Sequence, residues 1–170
     1  MKLFLISLLA FIFMVIFIPI EIHSGEGLPT TIGKYQKLEQ HYNWYSKYRE
    51  IIVRESLKRG VDPALTCAVI QAESGGQNVV SRRANWNGTR DWGLMQVNSV
   101  HCPTNPRKLL NVGYNIQKGT WYLSRCVKKA SGNIKRIPMY YNGGLGAKCY
   151  KYKNWKYVYR VLKYYQRSRV

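Results

Sequence analysis

The sequence predicts a mainly helical domain with at most a small β element, preceded by an apolar export helix. Three observations point there. Apolar residues recur at three- and four-residue steps through much of the chain after residue 33, as they do on one face of a helix. No segment reads as a convincing long strand, and no internal repeat is present. With 170 residues the chain suits one compact domain plus an appendage, and 46% apolar content excludes a disordered chain despite a formal charge of +19.

The appendage comes first. Met1 and Lys2 precede an uncharged run from Leu3 to Ile20 that is longer than the core of most signal peptides, about 7–15 residues, and approaches the ~18 needed to span a bilayer. Residues 1–24 therefore read as either a signal peptide, with a fair cleavage site at Ile22-His23-Ser24, or a retained membrane anchor using residues 3–20. In both cases Lys2 stays inside and the rest is exported, to the periplasm or cell envelope, free or held at the inner membrane. Residues 25–47 read as a linker and the start of the first helix, and residues 48–167 as the functional domain.

Each helix has its own signals. From Lys34 to Arg59, the positions Leu38, Tyr42, Tyr45, Tyr48, Ile51, Ile52 and Leu57 predict one helix closed by Gly60. Asp62 and Pro63 mark the start of the next as cap and first-turn proline. A polar Asn-, Gly- and Arg-rich stretch from Gly75 to Arg90 predicts a loop or small hairpin, followed by the short apolar stretch DWGLMQVNS, residues 91–99. Further helices are predicted over 112–129 and 134–141, the latter broken by Asn142-Gly143-Gly144, and a last one over 155–166.

Four cysteines, Cys67, Cys102, Cys126 and Cys149, lie in the exported part without metal-ligand spacing. An even number in an oxidising compartment predicts two disulfides, in any of three connectivities, with Cys67 stapling its helix to a later segment; buried free thiols are the alternative. No ligand cluster or phosphate-cradling glycine loop indicates a metal or organic cofactor. The positive charge fits nucleic acid, an anionic lipid surface or an anionic wall polymer, or else a solvated face with snorkelling stems. Export and the scatter of Lys and Arg between aromatics argue against nucleic acid.

Glu73 is the residue that local stability does not account for. It ends an apolar helix in IQAESGG, residues 70–76, where the helix dipole repels a carboxylate by ~0.3–1 kcal/mol. An apolar wall and an adverse dipole both raise a carboxyl pKa, and Ser74-Gly75-Gly76 leaves it accessible. That combination describes a general acid facing a cleft, against the simpler alternative of a solvated Glu at a frayed helix end.

The remaining motifs strengthen the first alternative. Glu73-Ser74 ends a helix, Gly93-Leu94-Met95-Gln96 follows, then Asn115-Ile116 with Gly119 and Tyr122-Leu123, and finally Tyr141-Asn142 with Gly144. In this order and spacing, the chain from Tyr48 to Gln166 resembles the catalytic domains of the lysozyme-like soluble lytic transglycosylases, including secretion-associated members. The resemblance implies a lysozyme-like (α+β) fold and cleavage of the β-1,4 bond between MurNAc and GlcNAc in peptidoglycan, forming a 1,6-anhydro sugar. Glu73 would be general acid and then base, with Tyr141 orienting it. Ser74 and Gln96 would hydrogen-bond the acid or the sugar, Met95 would form apolar cleft wall, and Asn142 would contact substrate. Gly93, Leu94, Asn115 and Gly119 read as packing or turn residues, while Trp86 and Trp92 are either sugar-stacking or core. Envelope-spanning secretion machinery is an implied partner.

TRDWGLMQVNS also resembles the animal-lysozyme stretch in which an Asp is the second catalytic carboxylate. Asp91 lies 91 − 73 = 18 positions after Glu73. It is the candidate second carboxylate of a hydrolase, or an Asp that caps a turn. A non-catalytic wall-binding module is the remaining alternative. The chain departs from the family at Gly75-Gly76-Gln77, where an aromatic is usual, at the cysteines, and at Met139-Tyr140 in place of a small residue. These changes are expected to reshape the cleft floor.

Overall fold

The computed structural model describes residues 33–169. The predicted export segment, residues 1–24, lies outside the described residues, as does most of the linker. The α-helices named among the described residues are α1 (Arg49–Leu57), α2 (Pro63–Glu73), α3 (Val112–Ala130), α4 (Arg136–Gly143) and α5 (Trp155–Ser168). Between α2 and α3 lies one antiparallel pair, β1 (Asp91–Trp92) with β2 (Val97–Asn98), in which Asp91 faces Asn98 and Trp92 faces Val97. The architecture is mainly helical with a small β element, as predicted and consistent with a lysozyme-like fold. Among the described residues no helix is long and apolar enough to cross a membrane.

Helix α2 runs through the centre. Asp62 caps it, its Oδ1 accepting from the Ala64 N–H at 2.9 Å, and Pro63 opens it. Every residue from Pro63 to Ile70 is buried. A helix that is apolar all round must be enclosed, and α5 and α1 cover it. Helix α5 is the most amphipathic partner. It turns Tyr157, Val158, Val161 and Leu162 inward while Lys156, Tyr159, Arg160 and Lys163 face solvent. Burial of each aliphatic member of that stripe contributes about 1.5–3 kcal/mol relative to exposure. Helix α3 starts on Asn111, whose Oδ1 accepts from the Tyr114 N–H at 3.0 Å, and stops at the left-handed Ser131, φ 46°.

The structure corrects two expectations. Residues 34–59 are not one helix: three-ten turns at Gln36–Gln40 and Ser46–Tyr48 precede α1. Tyr42, Tyr45 and Tyr48 are spaced by three, the three-ten period, and their backbones bond accordingly, Tyr45 N–H to Tyr42 O at 3.0 Å and Tyr48 N–H to Tyr45 O at 2.9 Å. The Tyr42 hydroxyl then reaches Ser168 Oγ at 3.0 Å and ties this segment to the end of α5. Gly60 closes α1 in the left-handed region, φ 64°.

The second correction concerns the cysteines, which form no disulfide; all four are free thiols. Cys67 in α2 and Cys126 in α3 are fully buried and act as small apolar side chains, and burial raises both thiol pKa values, that of Cys126 to about 12. Cys102 donates to Asn105 O at 3.1 Å, and Cys149 is exposed. Cys67 therefore staples nothing.

Candidate active site

A cleft of about 660 Å³ opens beside the C-terminal end of α2, walled by the β1–β2 pair with its preceding loop and by residues of α3 and α4. Of the residues singled out from sequence, it is lined by Glu73, Asp91, Gln96, Tyr141 and Asn142, together with Trp86. Ser74 and Met95 lie behind this lining.

Glu73 is the last residue of α2 and is half-buried, with its open side on the cleft. Its Oε1 accepts a hydrogen bond from the Tyr157 hydroxyl at 2.6 Å. The carboxyl pKa is raised to about 7, chiefly because burial penalises the charged form. The negative charge of Asp91 adds to the rise, while the Tyr157 bond and the Arg160 guanidinium pull the other way. Arg160 Nη2 also donates to Ala72 O at 3.0 Å, satisfying a carbonyl left free at the helix end. A carboxyl poised there both gives and takes a proton near neutral pH.

The support for this position comes from the Gly93–Gln96 turn. Ser74 Oγ donates to Leu94 O at 2.7 Å, joining the end of α2 to the turn. Asn115, fully buried on α3, accepts from the Met95 N–H at 2.9 Å and donates to Trp92 O at 2.7 Å and Leu109 O at 2.9 Å. Gly93 has φ 75°, and a Cβ there would overlap the Asn115 side chain. Gln96 holds a left-handed φ of 47°, a conformation that costs a non-glycine residue about 1 kcal/mol or more. Its amide offsets this by donating to Gly93 O at 2.8 Å and Val79 O at 3.0 Å.

Three sequence expectations change here. Met95 is fully buried core, seated against Gly119 of α3, and forms no cleft wall. Ser74 bonds backbone carbonyls, at Leu94 and Ile70, instead of the acid. The Tyr141 hydroxyl donates to Met95 O at 2.9 Å, so the phenol that touches Glu73 is Tyr157. The backbone turn captures Tyr141, whose hydroxyl satisfies carbonyl 95, and Tyr157 reaches Glu73 from α5, which packs along α2. The buried stripe containing Tyr157 was legible in the 157/158/161/162 spacing, but its pairing with a residue 84 positions away was not.

Asp91 occupies a different seat. Asn98 Nδ2 donates to its Oδ1 at 2.9 Å, Asn85 Nδ2 lies 3.2 and 3.3 Å from its two oxygens, and its own N–H donates to Ser81 Oγ at 3.1 Å. Trp86 stands on the cleft rim, 98% exposed, whereas Trp92 packs against the core. Sequence reasoning missed the opposite wall of His101, Lys118, Trp121 and Tyr122. Lys118, Trp121 and Tyr122 lie on one face of α3 at three- and four-residue spacing, which was the available signal.

The departures from the family pattern act away from the cleft floor. Met139 and Tyr140 are buried in the core. At Gly76 a Cβ would overlap the Trp44 indole, which donates to Gln71 Oε1 at 2.6 Å, so Trp44 fills space beside the missing aromatic. Asn142 is held by Tyr152 and Asn154, whose side chains donate to its Oδ1 at 2.9 and 3.2 Å.

A central helix ending in a Glu whose carboxyl pKa is raised, over an open groove beside a minimal antiparallel sheet, is the arrangement of the lysozyme-like class of proteins. Residues 50–159 match the family described as the transglycosylase SLT domain, a span that includes Glu73, Asp91, Tyr141 and Tyr157. The chain belongs to that family, whose activity is of the peptidoglycan lytic transglycosylase type.

Proposed function

We propose that this protein cleaves the β-1,4 bond between MurNAc and GlcNAc with Glu73 as its one essential acid–base group. The observation that carries the reading is the Glu73 carboxyl on the cleft, raised to about 7 and held by Tyr157 at 2.6 Å. Protonated Glu73 gives its proton to the glycosidic oxygen as the C1–O bond breaks. The resulting carboxylate then takes the proton of the muramic C6 hydroxyl while that oxygen bonds to C1, closing the 1,6-anhydro ring and regenerating the acid. The substrate supplies the nucleophile, so no second carboxylate is required. Gln96, Tyr141 and Asn142 contact the sugars from the cleft wall. Ser74 and Met95 serve the same chemistry indirectly, by fixing the turn behind it.

The apolar run at residues 3–20 supports export to the periplasm or envelope, with membrane attachment if it is retained. A compact catalytic domain suits local opening of the wall, for assembly of an envelope-spanning secretion machine. The scattered charge is compatible with an anionic wall polymer better than with nucleic acid.

Digestion of purified peptidoglycan followed by mass analysis of the products tests the reaction. Anhydro ends, one water lighter than reducing ends, are the expected result. Reducing ends favour a second reading, hydrolysis with Asp91, which has one observation behind it: Asp91 lines the same cleft and its charge acts on Glu73. Undiminished turnover by Glu73→Gln contradicts both, and binding without turnover by the unmutated protein leaves a wall-binding module.

A further inference from the structure

The chain after Asp91 carries its charge without a counterpart. From Trp92 to Val170 the sequence holds 16 Lys and Arg residues and no Asp or Glu. The ion pairs among the described residues all use Glu39, Glu50 or Glu55. Asp62 is bonded by Tyr165, Glu73 by Tyr157, and Asp91 by Asn85 and Asn98. On α5 the surplus is sorted to one side. Lys156, Tyr159, Lys163 and Arg167 fall at three- and four-residue steps along its exposed face, with Arg169 just beyond its end. Among the described residues no ion pair engages any of these four cations, and Tyr159 stands 60% exposed between them.

The place of this face in the fold says what it meets. The Tyr165 hydroxyl donates to Asp62 Oδ2 at 2.9 Å, so α5 finishes at the start of α2, while Tyr157, near the start of α5, meets Glu73 at the finish of α2. The two helices therefore run antiparallel. The cleft lies at one end of α2, roughly 16 Å from the other. The chain enters the domain at that other end, where the Tyr42 hydroxyl lies 3.2 Å from Tyr164 O and 3.0 Å from Ser168 Oγ. Residues 21–32 separate the apolar run at 3–20 from the first described residue, a reach of at most about 40 Å. A membrane holding that run keeps α5 close to its lipid headgroups.

We propose that the exposed face of α5, Lys156, Tyr159, Lys163 and Arg167 with Arg169, is a docking surface for a membrane that carries anionic lipid headgroups. This goes beyond the glycan-cleaving reading and draws on the proposed attachment through residues 3–20. The four cations supply attraction to lipid phosphates, and the tyrosine among them offers an apolar ring to the interface and a hydroxyl to water. The tether holds the face at high effective concentration, so contacts that are weak singly act together. None of these residues lines the cleft, which the contact leaves uncovered.

Amine footprinting of the full chain on vesicles, with peptide mass analysis, tests the surface residue by residue. On vesicles of phosphatidylcholine with phosphatidylglycerol, acylation of Lys156 and Lys163 is expected to slow about fivefold relative to pure phosphatidylcholine and to recover with added salt, while exposed Lys128 and Lys135 react alike on both. Each cation near an anionic surface strengthens the contact about fivefold, so Lys163→Gln with Arg167→Gln weakens it about twentyfold and returns Lys156 to its phosphatidylcholine rate. Lys128→Gln with Lys129→Gln removes the same charge from α3 and leaves the protection in place. Unprotected Lys156 and Lys163 overturn the proposal, as does protection spread equally over Lys128 and Lys135. Equal protection by a soluble glycerol-phosphate polymer at matched phosphate also overturns it, assigning the face to a wall polymer. Flotation with pure phosphatidylcholine vesicles reports attachment through residues 3–20 separately. If the chain does not float there, the attachment reading fails, and the footprint on phosphatidylglycerol still decides the face.

Discussion

Glu73 and Asp91 share one cleft but sit in unlike surroundings. Glu73 ends an enclosed apolar helix and meets one hydroxyl, that of Tyr157. Asp91 lies in a two-residue strand where amide donors from the preceding loop and from β2 converge on its oxygens. The difference separates their roles. A proton is retained where surrounding groups solvate a charge poorly, as they do around Glu73, whereas the Asp91 oxygens are tied by amides into the loop and β2. Asp91 also acts at a distance, since its charge favours the protonated form of Glu73.

The sharpest way to break this contrast is Glu73→Gln, which removes the exchangeable proton while keeping the shape. Turnover of peptidoglycan is expected to fall about 10³-fold, within the usual range for a general acid–base group. Stability is expected to move the other way. The folded-state pKa, about 7, lies above the ordinary 4.5, so the native protein holds the extra proton and its stability declines as pH rises from 4.5 to 7. Melting curves of Glu73→Gln and wild type should coincide below pH 4.5, with the variant the more stable at pH 8.

Asp91→Asn comes next and decides what the second seat does. Under the one-acid mechanism it lowers the Glu73 pKa by removing a repelling charge, so the alkaline limb of the pH–rate profile moves to lower pH and turnover near neutrality falls about tenfold. A loss as large as that of Glu73→Gln assigns Asp91 a direct part in the chemistry. Tyr157→Phe shifts the pH profile in the opposite direction, and by more, because its hydrogen bond outweighs the Asp91 charge at Glu73. The hydroxyl stabilises the carboxylate form, so its removal raises the Glu73 pKa further and shifts the alkaline limb to higher pH. Tyr141→Phe, by contrast, should leave that limb in place, because its hydroxyl donates to Met95 O.

Outside the two seats, Gly119→Ala places a methyl against Met95 and is expected to destabilise the fold by about 1–3 kcal/mol in denaturant titration, disturbing the Gly93–Gln96 turn. The smallest effect belongs to reduction. With four free thiols, a reducing agent should leave the melting temperature unchanged, and a thiol titration under denaturing conditions should count four.

Much of the fold was legible because its signals are local. Asp62-Pro63 opens α2, Gly60 and Gly144 stop helices with positive φ, and α3 and α5 begin and end within two residues of their predicted bounds. The 34–59 segment misled because Leu38, Tyr42, Tyr45 and Tyr48, at steps of four and three, fit an α-helical face nearly as well as successive three-ten turns. Cysteine number misled because a buried thiol packs as an apolar group whatever the count. In the site, the end of α2 announced Glu73, since a carboxylate against the helix dipole is a local anomaly. The Tyr157 contact was illegible because it joins α2 to α5 across the core, and the His101–Lys118 wall because its elements meet only in the folded chain.

The central claim is that Glu73 carries its proton up to neutral pH. Following its carboxyl carbon by ¹³C NMR across a pH titration, with Glu73→Gln identifying the resonance, tests this most directly. The account predicts a midpoint of about 7. A midpoint near 4.5, the ordinary value for the side chain, would contradict it.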